Sequence, residues 1–385
     1  MNAKTLACLI LLGSVTSCER QRIPEPLYEQ RVLPSEGYEQ LERIVLRNVG
    51  SLCDSQSQCE PFSIPIAAIA GNRWLAVYVD ENQRPQLQVA DLATGVRRPL
   101  GAVGSGPGEY RFLTALAVDD SGDVTALDPT QRRVLRYSPM GIHRGTVMVE
   151  IPRGLIASWL GSRGAVFVAT DPRATRADSA AVAVYRYDAR TQKLNYVIGL
   201  PVRERLWGMS DMRPVPAAFS ASPIWASDGR GTVYYSSGAE FVVAAYREDS
   251  SAALRFGFDV TPRAVTSKDL EHSLARGVAG ISDPILRGAI LSSRKGASAR
   301  HPAVTRIVPL LNGEIWIRES PREAGDSVQW VAFRTEDGSP IGRAMLGVDD
   351  EILASSDDRL LLSAAVGPGS QAEFRWMMAR RPGQR

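Results

Sequence analysis

The sequence predicts an all-β protein: a six-bladed β-propeller of four-stranded antiparallel blades, closed by an N-terminal strand, with a short helical insertion between blades 4 and 5. Three observations predict it. An apolar strand–turn–strand unit recurs six times. A second, more amphipathic hairpin follows each of the first five. The sixth unit ends one strand short, and an unclaimed strand precedes the first. Repeats of this kind bury a core between neighbouring units, so they decide the architecture before any single motif does.

Residues 1–17 have the form of a lipoprotein signal peptide. Lys4 precedes the apolar run Leu6 to Leu12, and small residues follow. The run is too short to span a bilayer, which takes about 20 apolar residues. Val15-Thr16-Ser17-Cys18 resembles a bacterial lipobox, which implies cleavage before Cys18 and a diacylglyceryl group on its sulfur. The expected address is therefore exported and membrane-anchored, on the periplasmic side or the cell surface. The membrane is the first expected partner, through the lipid at Cys18. Residues 18–40 are polar, carry Pro24, Pro26 and Pro34 and lack periodicity, so they are read as a tether. Cys53 and Cys59 flank a short polar stretch of an exported chain, where a disulfide is expected.

The propeller is expected over residues 41–385. Its inner hairpins are 66–80, 116–128, 158–171, 224–237, 307–320 and 352–365. Each sets β-rich runs around a turn of Gly, Asp or Asn. The outer hairpins are 86–100, 132–149, 181–200, 240–258 and 328–346. The inner ones are nearly all apolar and small, and the outer ones alternate, as crowded and half-wet strands require. Blade 6 has only 373–380 left, and 41–49 supplies the missing strand. Closure of this kind removes free sheet edges.

Two insertions interrupt the repeat. Residues 201–222 form a Pro-containing loop, and about 261–300 form the helical insertion. There Thr266-Ser267-Lys268-Asp269 resembles a capping box opening a helix to about Gly277, and Asp283-Pro284 starts a second to about Ser293.

Composition narrows the function classes. Net charge is +3, which gives no basic field for nucleic acid. Only three His occur, His143, His272 and His301, scattered along the chain. A His-based metal site or proton relay has little to be built from, and no metal or other cofactor is expected. Gly104-x-Gly106-Pro107-Gly108 lacks the spacing and the Lys of a phosphate loop, and it opens a strand. Asp119 to Asp123 is a hairpin turn that lacks the calcium-loop spacing. No G-x-S-x-G elbow is present, and His143 falls in an outer hairpin.

The stretch Gly104 to Tyr110, with residues 112–141, resembles the bacterial six-bladed propeller lipoprotein family related to NHL repeats. That resemblance covers about 40 residues well and implies the fold, and often an exported lipoprotein, but no activity. Tyr110 stands where the family more often has Phe.

In propellers the blade-to-blade crossovers and the loops between second and third strands meet on one face. That face is the default binding site. Here it is expected to hold Glu109, Arg111, Asp128, Asp171 and Arg173, with Trp207 and Arg213 from the arching loop. No catalytic set emerges, so the leading expectation is a monomeric, non-catalytic binding or scaffolding propeller. Its ligand would be a protein or small molecule. The alternative is a metal-assisted channel-site enzyme of lyase or lactone-hydrolase type. A sensor half of a signalling pair is a third reading.

Overall fold

The computed structural model describes residues 27–51, 59–70, 73–81, 84–119, 121–149, 155–160, 166–170, 181–188, 193–201, 206–207, 215–216, 218–228, 232–247, 252–279, 281–310, 312–321, 327–356, 359–365 and 372–382. Side chains of most of blade 3 and of the 201–217 stretch lie outside that description.

Six antiparallel sheets follow one another along the chain. Blade 1 comprises Cys59–Ala70, Trp74–Glu81, Arg84–Asp91 and Val96–Pro99. Blade 2 comprises Ala115–Val118, Val124–Asp128, Arg133–Tyr137 and His143–Met148. Blade 3 runs Leu155–Leu160, Val166–Thr170, Ala181–Asp188 and Lys193–Pro201. Blade 4 runs Ile224–Ser227, Thr232–Ser236, Val242–Arg247 and Ala252–Asp259. Blade 5 runs Arg306–Pro309, Glu314–Arg318, Ser327–Arg334 and Pro340–Gly347. Blade 6 has Glu351–Ser356, Arg359–Ala365 and Ala372–Arg380.

The apolar inner strands follow from where their two faces go. In Trp74–Glu81 the residues Leu75, Val77 and Val79 pack with Ala354, Leu361 and Phe374 of blade 6. The intervening Trp74, Ala76 and Tyr78 pack with Leu116, Val124 and Ala126 of blade 2. Glu314–Arg318 divides likewise: Ile315 and Ile317 meet blade 4, and Trp316 meets blade 6. A strand buried on both faces loses the alternation that a one-faced strand shows. Each large side chain so buried stabilises by roughly 1.5–3 kcal/mol.

Closure matches the strand count. Val45–Ser51 pairs antiparallel with Ala372–Arg380, from Val45 opposite Arg380 to Ser51 opposite Arg375. It is the fourth strand of blade 6.

The tether expectation needs correction over 27–40. Leu27–Pro34 is a strand, paired parallel to the outer strand of blade 4 from Leu27 opposite Ala252 to Pro34 opposite Asp259. A helical turn, Ser35–Glu39, follows. Tyr38 is buried between Phe241 and Phe258, edge-on to both. Ile44 N–H then donates to Arg343 O at 2.7 Å, and Arg343 N–H to Glu42 O at 2.9 Å. The segment therefore belts the rims of blades 4, 5 and 6 in turn. It carries no periodic signal because Glu29, Gln30, Arg31 and Leu33 are all exposed. Main-chain hydrogen bonds hold the strand, and those leave no side-chain pattern.

Both insertion helices form where the caps place them. Thr266 Oγ1 accepts from Asp269 N–H at 3.1 Å, and Asp269 Oδ2 accepts from Thr266 N–H at 2.9 Å. This reciprocal cap opens Ser267–Val278. Asp283 accepts from the Ile285 and Leu286 N–H groups and opens Pro284–Ser292. Among the described residues no helix is long and apolar enough to cross a membrane.

Candidate functional site: the loop-bearing face

The chain leaves each fourth strand, crosses to the next blade and starts its first strand on one face. The 100–114 crossover lies there, as do the described residues 218–223, 260–279 and 281–305 of the two long crossovers. Residues that follow the second strands, such as 129–132 and 319–321, share that face.

The 100–114 crossover is held from beneath. Asp128 is fully buried, and its carboxylate accepts from Arg111 N–H at 2.7 Å, Gln131 N–H at 3.0 Å and Gln131 Nε2 at 2.7 Å. Arg133 donates to the Gly106 carbonyl at 3.2 Å and to that of Glu109. Glu109 folds back so that Oε2 accepts from Gly106 N–H at 2.6 Å. Tyr137 OH donates to Gly108 O at 3.0 Å. Gly108 has φ +71°, and a Cβ there would sit 2.9 Å from the His143 ring. The Gly-rich stretch is thus a crossover pinned by buried polar groups.

A second network fastens the helical insertion to blade 5. Asp269, buried, accepts from Arg263 at 3.0 and 3.3 Å and from Thr266 Oγ1 at 2.7 Å. Arg263 also donates to Pro321 O at 3.2 Å. Buried His301 places Nε2 3.3 Å from Asp269 Oδ2 and Nδ1 3.2 Å from Ser320 Oγ. Phe219 packs on the imidazole at 4.6 Å between ring centres and holds a left-handed φ of 58°. Ser298 N–H donates to Ala218 O at 2.9 Å, which clips the two long crossovers together.

Asp269, His301 and Ser320 have the residue types of a nucleophilic triad, and their charges argue against that chemistry. Burial opposes the Asp269 charge, but bonds from Thr266 and Arg263, with His301 3.3 Å away, outweigh it and hold the carboxyl well below the usual range. Burial depresses the His301 pKa, with the neighbouring Arg263 cation acting in the same direction against Asp269. A general base must become imidazolium as it takes the serine proton. Here a guanidinium already occupies the carboxylate that would stabilise it. The arrangement is a polar pin between elements.

The expected face residues divide. Asp128 does not face a ligand, because it is fully buried and all its bonding is spent inside the crossover. Glu109 is half-buried and turned onto its own loop. Arg111 is exposed, with Nε donating to Ser105 Oγ at 3.0 Å. Trp207 lies in a short ladder, Leu206–Trp207 against Val215–Pro216, with its side chain undescribed. Cys18, Cys53, Asp171, Arg173 and Arg213 lie outside the described residues, as does the expected Cys53–Cys59 disulfide. Among the described residues no three His, Cys, Asp or Glu side chains gather as metal ligands would. The Asp269–His301–Ser320 meeting was not expected from scattered His; the capping box was its one sequence signal, and that marks Asp269 alone.

No family model matches the chain. No curated protein matches it either. Solved structures do. A candidate exported protein of Bacteroides fragilis superposes with a TM-score of 0.50 at 12% identity, over 92% of this chain and 99% of that one. A DUF4221 family member from Bacteroides vulgatus gives 0.48 at 10%, over 89% and 98%. A gluconolactonase of Xanthomonas campestris gives 0.41 at 14%, over 93% and 96%. At such identities the likeness speaks to chain path and not to chemistry. The chain is a six-bladed β-propeller.

Proposed function

We propose that this protein is an exported, lipid-anchored propeller that binds a partner on its loop-bearing face without catalysing a reaction. One observation carries the reading: on that face, described residues of the two longest crossovers are clipped together through Ala218–Ser298 and Phe219–His301. Such a braced loop surface suits recognition. The lipobox-like Cys18 and the resemblance to NHL-related propeller lipoproteins support the address. The exported description of the Bacteroides fragilis structure agrees with it. The disc acts as a monomer, and the lipid holds it at the envelope.

Two measurements test this. Cys18→Ser should abolish metabolic labelling with radioactive palmitate and move the protein from the membrane to the soluble fraction. Deleting residues 206–216 should leave the thermal midpoint within a few degrees and remove the envelope adducts formed by in vivo crosslinking. A labelled Cys18→Ser protein, or unchanged adducts, overturns the corresponding half.

A further inference from the structure

Beyond the loop-bearing face, the rim of blade 5 offers a second place where a ligand fits. Arg343 bonds outward to the belt through both its N–H and its carbonyl, to Glu42 and Ile44. Main-chain groups of a strand face outward every second residue. Met345, two positions on and opposite Gln329, therefore also turns its N–H and carbonyl outward. The belt has by then veered off to blade 6, and no other described residue takes these groups. Gly347, the next in this series, is closed off by Asp350, which bonds both its N–H and its carbonyl.

A groove of about 520 Å³ lies beside Met345, lined by Arg43, Ile44, Val45, Gln329, Arg343 and Met345. That size falls within the range of ordinary ligand pockets, about 300–1,000 Å³. Val45 and Met345 are 59% and 49% exposed, which gives it apolar walls. Gln329 forms a buried floor, tied by Nε2 to Tyr38 OH at 2.7 Å. Arg43 and Arg343 flank it, and among the described residues no carboxylate pairs with either guanidinium. Among the described residues the Arg343 guanidinium reaches only the Glu39 carbonyl, at 3.3 Å.

We propose that this edge takes a short extended peptide segment bearing a carboxylate, added as a strand at Met345. Strand addition satisfies the outward main-chain pair, the apolar walls receive alternate side chains, and the carboxylate sits between the two arginines. The molecule already uses this mode on the neighbouring blade, where Leu27–Pro34 adds parallel to the outer strand.

The test uses the purified full chain in detergent and two fluorescein-labelled, acetylated hexapeptides, one alternating valine with aspartate and one valine with lysine. Fluorescence anisotropy should show the aspartate peptide binding at least tenfold more tightly. The double variant Arg43→Ala, Arg343→Ala should weaken it at least tenfold. Met345→Pro, which removes the outward N–H of an edge strand, should do the same. If that variant unfolds early, Met345→Glu replaces it and should weaken acidic-peptide binding by repulsion. Equal binding of both peptides overturns the proposal, as does unchanged binding in the arginine variant. Displacement by valerate as readily as by unlabelled peptide also overturns it, since strand pairing would then contribute nothing. Deletion of 206–216 should leave peptide binding intact; its loss would place the peptide on the loop face and overturn the rim site, independently of the crosslinking result.

Discussion

Asp269 receives both Arg263 and Thr266, so its charge is satisfied inside the fold. Its carboxyl titrates below the ordinary value, so the stability it supplies is present above about pH 4 and is lost as pH falls through the folded value. His301 is depressed as well: the ring stays neutral in the fold while the unfolded chain takes up a proton below about pH 6.5. Its contribution is present above that pH and is lost as pH falls toward the folded value. Both signs make acid destabilising, through His301 already below about pH 6.5 and through Asp269 only below about pH 4. The thermal midpoint should drop between about pH 7 and pH 5, and His301→Gln should flatten that drop. Parallel profiles for the two proteins would show that another group is responsible. Asp269→Ala should cost about 2–4 kcal/mol by denaturant titration, because it strands Arg263 beside a buried cavity.

Among the elements, the belt tests a different balance. Tyr38 is its anchor, with its ring between Phe241 and Phe258 and its hydroxyl bonded to Glu319. Tyr38→Ala should destabilise by about 3–5 kcal/mol, as truncation of a buried aromatic does. Tyr38→Phe should cost about 1–3 kcal/mol, since it removes the buried hydroxyl that bonds both Glu319 and Gln329. Hydrogen exchange at Ala252–Asp259 should rise in the alanine variant, because the strand that covers that edge loses its pin. Gly257 explains why the blade 4 strand accepts its neighbours. At φ +142° a Cβ would lie 2.1 Å from the Phe241 carbonyl, so Gly257→Ala should disrupt the strand. The helices of the insertion were legible because caps are local. The belt strand was not, because its described side chains bury almost nothing.

For the whole molecule, closure is the main physical device. Cores run between neighbouring blades, so a disc cut at one junction exposes two apolar faces and a sheet edge. A chain beginning at residue 52 should lose the fourth strand of blade 6 together with the belt. It should unfold at a lower temperature in a broader transition and self-associate. Light scattering and calorimetry would read this directly. A truncated chain with an unchanged, sharp transition would show that the N-terminal strand contributes little to the ring.

The hairpin repeat, the strand count that closes the ring and the two helix caps were written in the sequence. Each depends on contacts or alternations within a few residues of itself. What faces what was decided only by the tertiary structure. Asp128 has the sequence context of an open loop end, yet it is fully buried under the Gly104–Tyr110 crossover. Asp269, His301 and Ser320 lie far apart along the chain and meet only because an insertion folds back over blade 5. The belt needs three rims to exist before it has anything to pair with. Local hydrogen bonding and periodicity survive in one dimension, whereas burial and charge pairing between distant segments exist only once the disc has closed.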